Sequence, residues 1–163
     1  MTQVHLHLLI THLPVFGSIL GALVLAYGIW ARSNQTKNAA YFMFVISAIG
    51  ASIAYLTGEG AEEAVEKMTG VSESMIKLHA DSAIYALISL AILGITSLFA
   101  LVENSLKTPL IKSTATLILI LSLISFGLVA RTGYLGGQIR HTEISNGANQ
   151  NNAGGEAGEK DKD

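Results

Sequence analysis

The side chains able to do chemistry in this sequence are its histidines. Three of the five fall in the stretch VHLHLLITHLPVFG, as His5, His7 and His12, and the others are His79 and His141. Imidazole titrates near neutral pH and ligates iron, zinc and copper. Two neutral imidazoles contributed by different helices are what a b-type haem takes as axial ligands. The same histidines together with Glu59, Glu62, Glu63, Asp81 or Glu143 would instead make a site for a Zn, Cu or Fe ion. Other chemistries are not encoded. The chain has no HExxH, no Ser/His/Asp spacing, no phosphate loop and none of the in-helix Glu-x-x-His pairs of di-iron bundles. With no cysteine, disulfides, iron–sulfur clusters, thiolate zinc sites and covalent haem attachment are excluded. The expectation is an electron-transfer or accessory subunit rather than a stand-alone enzyme.

The elements that must position these histidines are membrane spans. Half of the 163 residues are hydrophobic and only 13% are charged, against roughly 25% in ordinary soluble domains. Four apolar runs carry this hydropathy: 8–31, 39–56, 82–102 and 114–130. Each is close to the ~20 residues that cross the hydrocarbon core as a helix, and none has the polar stripe that a soluble bundle needs on every helix. The sequence therefore predicts an all-α integral membrane four-helix up-and-down bundle, residues 1–144, with spans at about 8–31, 39–57, 80–102 and 113–134. The first run lacks a basic n-region and a small-x-small cleavage site, so it is read as a retained span rather than a signal peptide. Between the second and third spans, Ala61, Ala64, Val65 and Met68 have helical spacing opposite a row of acids. That pattern predicts a short helix over about 60–69, lying on the membrane surface as a lid or docking surface. Residues 145–163 are polar, rich in Gly and Asn and free of aromatics, a composition that cannot bury enough apolar surface to order itself.

Up-and-down topology brings the start of span 1, the end of span 2, the start of span 3 and the end of span 4 to one membrane face. All five histidines then collect there. Arg32, Lys37, Lys107 and Lys112 crowd the two short connections on the other face. By the positive-inside rule this predicts a multi-pass protein with the short connections cytoplasmic and both termini outside. A net charge of −2 and the lack of a basic tract give no attraction to nucleic acid.

Within that cluster, His12 lies inside span 1 and needs a partner for its ring. Pro14 frees a backbone carbonyl in the turn before it. His5 and His12 lie about 20° apart around a helix, and His7 points away from both. The pair expected to ligate haem iron is His12 with His79, with His7 and His141 as alternates. Gly17 and Gly21 form a GxxxG whose smooth face suits either a cofactor edge or helix packing. Arg131, or Arg140, is placed to pair with haem propionates or to snorkel to the interface.

The segment HLLITHLP resembles a family of small, uncharacterised four-span bacterial membrane proteins with an HPxxVHFP-like opening signature. His7, His12 and Pro14 match it, whereas Leu8 and Leu13 replace the usual Pro and Phe. The likeness extends to Thr57-Gly58 after span 2, His79 at the head of span 3, and Thr132, Gly133, Gly136 and Gly137 of RTGYLGGQ after span 4. The resemblance implies a haem- or redox-associated membrane module, with His7, His12 and His79 as its matched residues. Its partners would be the lipid bilayer, other membrane or periplasmic redox proteins, and quinol.

Overall fold

The computed structural model of the chain describes residues 2–66, 71–105 and 114–140. Five helices follow in order: α1 (Gln3–Ile10), α2 (His12–Trp30), α3 (Asn34–Glu66), α4 (Glu73–Ser105) and α5 (Thr114–Arg140). Four segments are long and apolar enough to cross a membrane, Gln3–Trp30, Asn34–Glu66, Glu73–Asn104 and Thr114–Ile139. They are packed into a closed ring. α2 lies against α3 and α5, α4 against the same two, and α1 along the far end of α3. Spans 1 and 3 thus face each other diagonally across the core.

The distribution of side chains is the reverse of a soluble protein's. Large apolar residues point outward, among them Trp30 at 80% exposure and Leu56 at 78%, whereas Ser18, Ser47, Ser82, Ser89, Ser97, Ser122 and Ser125 are buried. In a bilayer this arrangement costs nothing, because lipid is as apolar as leucine and small residues let helices approach closely. Gly17 and Gly21 illustrate the second point. A Cβ on Gly17 would collide with the Ser47 hydroxyl, and one on Gly21 would lie 2.5 Å from the Phe44 ring.

The break between α1 and α2 falls at Thr11, one turn before Pro14. Proline has no N–H for the carbonyl four residues back and its ring crowds that carbonyl. The carbonyl four residues back is that of Ile10, and two residues before it the Leu8 carbonyl accepts from Thr11 Oγ1 at 3.0 Å and from the His12 ring at 2.8 Å. At the other end, α2 closes in a Schellman turn. Ser33 N–H reaches Gly28 O and Arg32 N–H reaches Ile29 O, with Arg32 in the left-handed region at φ 52°. Ser33 then caps α3 through Thr36 N–H.

One expectation is corrected. Residues 60–66 are not part of a separate helix on the membrane surface but the last turns of α3, which runs unbroken from Asn34 to Glu66. Gly58 and Gly60 do not stop it, since a single helical glycine costs only about 1 kcal/mol and α1 packs on this stretch. A Cβ on Gly60 would collide with Gln3. Residues 67–69 of the expected surface helix, His141 and Glu143, and the 145–163 tail lie outside the described residues. The helices also outrun their apolar runs, because their polar ends continue beyond the hydrocarbon.

Candidate functional site

The site lies at the end of the bundle formed by α1, the last turns of α3, the first turns of α4 and the last turns of α5. His7 projects from α1 toward α3, and its Nδ1 is 2.8 Å from the Ala54 carbonyl. Thr57 Oγ1 stands 3.4 Å from the same nitrogen. His79 projects from α4 toward α5, with Nδ1 3.0 Å from the Thr132 carbonyl. A carbonyl can only accept, so in both rings Nδ1 must carry the proton. Each ring therefore presents an unprotonated Nε2 when neutral, and that atom has no hydrogen-bond partner among the described residues.

Both histidines are half-buried, and His7 and Glu62 are near enough for their charges to be felt at His79. Glycine borders each ring. A Cβ on Gly58 would sit 3.7 Å from His7 Cε1, and one on Gly136 would sit 3.0 Å from His79 Cε1. One turn into the bundle from His79, Ser82 Oγ pairs with Thr132 Oγ1 at 2.8 Å and accepts from Arg131 Nη1 at 3.2 Å. Arg131 is exposed and has no carboxylate partner among the described residues.

His12 is not in this group. It is exposed on the outer face, stacked on Phe16 with centroids 6.1 Å apart, and its Nδ1 is bonded to the Leu8 carbonyl. Of the helix-1 histidines named for the site, His7 is therefore the one on the inward side at the same end of the bundle as His79. The cause is helical phase: His7 lies about 140° around the helix from His12 at 100° per residue, so only one of them can face the core. His5 shares the outward side with His12 and bonds Thr2 Oγ1 at 2.7 Å. Beside Gly17 and Gly21, read from the sequence as a packing face or a cofactor edge, the space is filled by Ser47 and Phe44.

Glu59, Glu63 and Asp81 are exposed and Glu62 half-buried. Among the described residues no three His, Cys, Asp or Glu come together as a metal site would need. Sequence reasoning did not foresee the main-chain carbonyls of Ala54 and Thr132 or the role of Ser82. A weak signal for the first two existed: Ala54 and Gly58 are four apart, as are Thr132 and Gly136, so each carbonyl shares a helix face with a residue that leaves room for a ring.

Comparison with curated proteins and with solved structures finds no match. A family model does match residues 3–143, which spans all four membrane helices and both histidines of the pair. The chain belongs to the family of predicted membrane proteins described as DUF2231.

Proposed function

We propose that this protein is a membrane-anchored electron-transfer protein or subunit that holds haem b at the histidine end of its bundle, where His7 and His79 would be the residues that hold it. The observation that carries the reading is the matched orientation of the two rings. Each gives its Nδ1 proton to a main-chain carbonyl on the neighbouring helix, the outer-shell arrangement that fixes the tautomer and leaves Nε2 to a metal. A site with two such donors suits an iron whose equatorial positions are already filled by a macrocycle. A bare Zn, Cu or Fe ion would ask for three or four protein ligands, which do not converge among the described residues.

Bound haem would supply the one-electron couple that a chain without cysteine or metal cluster lacks. The protein's own part is to hold, orient and shield. Ala54 and Thr132 fix the ring planes, Gly58 and Gly136 keep space beside them, and Arg131, already anchored by Ser82, offers its charge to a carboxylate. In this reading the site lies near the outer face of the bacterial inner membrane. It exchanges electrons with quinol or with periplasmic and membrane redox proteins.

The test is a reduced-minus-oxidised spectrum of protein expressed with ample haem and purified in detergent. A b-type α-band is the expected result. A flat spectrum with bound metal by elemental analysis replaces haem by a metal ion at the same histidines. A flat spectrum without metal leaves a cofactor-free accessory subunit.

A further inference from the structure

At the end of the bundle away from His7 and His79, α2 closes in a turn that keeps an arginine where glycine would be easier. Among the described residues Arg32 is the only non-glycine with a positive φ, 52°. A side chain in that region carries strain that glycine escapes. The turn itself, closed by Ser33 N–H on Gly28 O and Arg32 N–H on Ile29 O, asks only for a backbone shape. Strain of this kind, held at an exposed arginine, points to a use for its side chain.

A second cation is held at the same turn. Lys37 N–H reaches Ser33 O, so the first turn of α3 folds back along the last turn of α2. The Lys37 stem crosses Gly28, with Cγ 3.0 Å from where a Cβ would sit. Neither Arg32 nor Lys37 makes an ion pair or a side-chain hydrogen bond among the described residues. Glu103, the one acid at this end among them, pairs with neither. Depth puts both charges at the level of lipid headgroups. α2 has 19 residues, about 28 Å at 1.5 Å per residue, which nearly matches the ~30 Å hydrocarbon core. Its last residue is the exposed Trp30, with the exposed Tyr27 ring 5.7 Å away, and such rings mark the edge of the hydrocarbon. Arg32 lies just past Trp30, and Lys37 lies against Gly28 at the same end.

We infer that the α2–α3 turn is a docking surface for an anionic phospholipid of the phosphatidylglycerol type, in the leaflet on the short-connection side, with its phosphate drawn to Arg32 and Lys37. Charge complementarity carries the assignment. Two unpaired cations leave the turn with a net positive charge. A zwitterionic headgroup answers that charge only in part, because its own ammonium is repelled, whereas an anionic headgroup answers it fully. The guanidinium adds a planar fork that matches phosphate oxygens, and basic groups at the membrane surface attract anionic lipid. The arginine is thus retained at a strained position for its charge. This inference is independent of the histidine site and of haem.

Trp30 is the chain's only tryptophan, so its fluorescence reads the lipid beside this turn. The full chain is placed in phosphatidylcholine vesicles containing a minor fraction of a brominated lipid, which quenches at contact range. Brominated phosphatidylglycerol and brominated phosphatidylcholine are compared at the same fraction. The anionic lipid is expected to quench as if enriched at Trp30, by about fivefold for each cation engaged. Arg32→Gly removes one charge while relieving the turn, and is expected to cut the excess about fivefold. Adding Lys37→Gln is expected to abolish it. Lys77→Gln, at the other end of the bundle, is expected to leave it unchanged. Equal quenching by the two lipids in the unmodified chain overturns the docking surface. So does an excess as large in Arg32→Gly as in the unmodified chain, which decides the matter even if the double variant fails to insert.

Discussion

Replacing Gly21 with alanine tests whether the GxxxG of span 1 is a packing surface. The added Cβ would lie 2.5, 2.9 and 3.1 Å from three carbons of the Phe44 ring, where ordinary contact needs about 3.5 Å or more. Phe44 is fully buried and cannot swing aside, so α2 and α3 must part by several tenths of an ångström. Overpacking of this kind costs about 1–3 kcal/mol, and a clash with three atoms of a trapped ring belongs near the upper end. Against it stands the gain of about 1 kcal/mol from removing a helical glycine. The net loss is about 2 kcal/mol, roughly a 30-fold shift of the unfolding equilibrium. Gly127 is the internal control. Nothing lies within 4 Å of its Cβ position, so Gly127→Ala keeps the propensity gain without the clash. Unfolding by SDS in mixed micelles, followed by circular dichroism, measures both. A Gly21→Ala protein as stable as Gly127→Ala would refute the packing argument. One that kept its stability while losing a bound cofactor would restore the cofactor-edge reading of Gly21.

Three further outcomes follow from the geometry. Arg32 holds a left-handed φ of 52°, which costs a non-glycine residue about 1 kcal/mol, so Arg32→Gly should raise stability by up to about that much in the same assay. A double-mutant cycle of Ser89→Ala and Ser125→Ala, whose hydroxyls are 2.6 Å apart, should give a coupling of about 0.6 kcal/mol, with about 1.7 as a ceiling for polar contacts between membrane helices; a coupling of zero would mean the pair does not form. Gly136→Val pushes a side chain against the His79 ring, 3.0 Å from the Cβ position, and should weaken haem binding about tenfold, the lower end for disturbing an outer-shell partner. Gly137→Val, which enters open space, should not.

The four spans were legible because hydropathy needs only composition over a window of about 20 residues. Their ends were not, since the turns of α3 beyond Leu56 carry Glu59, Glu62 and Glu63 and are held by α1 rather than by lipid. The collection of His5, His7, His12 and His79 at one end followed from topology alone. Choosing between His7 and His12 required helical phase, and Pro14 breaks the first span just where that phase must be counted. Gly17 and Gly21 fitted both a packing face and a cofactor edge in the sequence, and the structure places Ser47 and Phe44 against them. The buried serines gave no signal, because scattered serines in an apolar run read the same whether they face lipid or core.

The most direct measurement is haem titration of purified His7→Ala, His79→Ala and His12→Ala beside the unmodified protein, read as the bis-histidine spectrum. The inward pair predicts that the first two variants lose that spectrum. His12→Ala keeps it, because His12 serves only the Leu8 carbonyl at the helix break. A bis-histidine spectrum retained in His79→Ala, or lost only in His12→Ala, would contradict the pairing of His7 with His79.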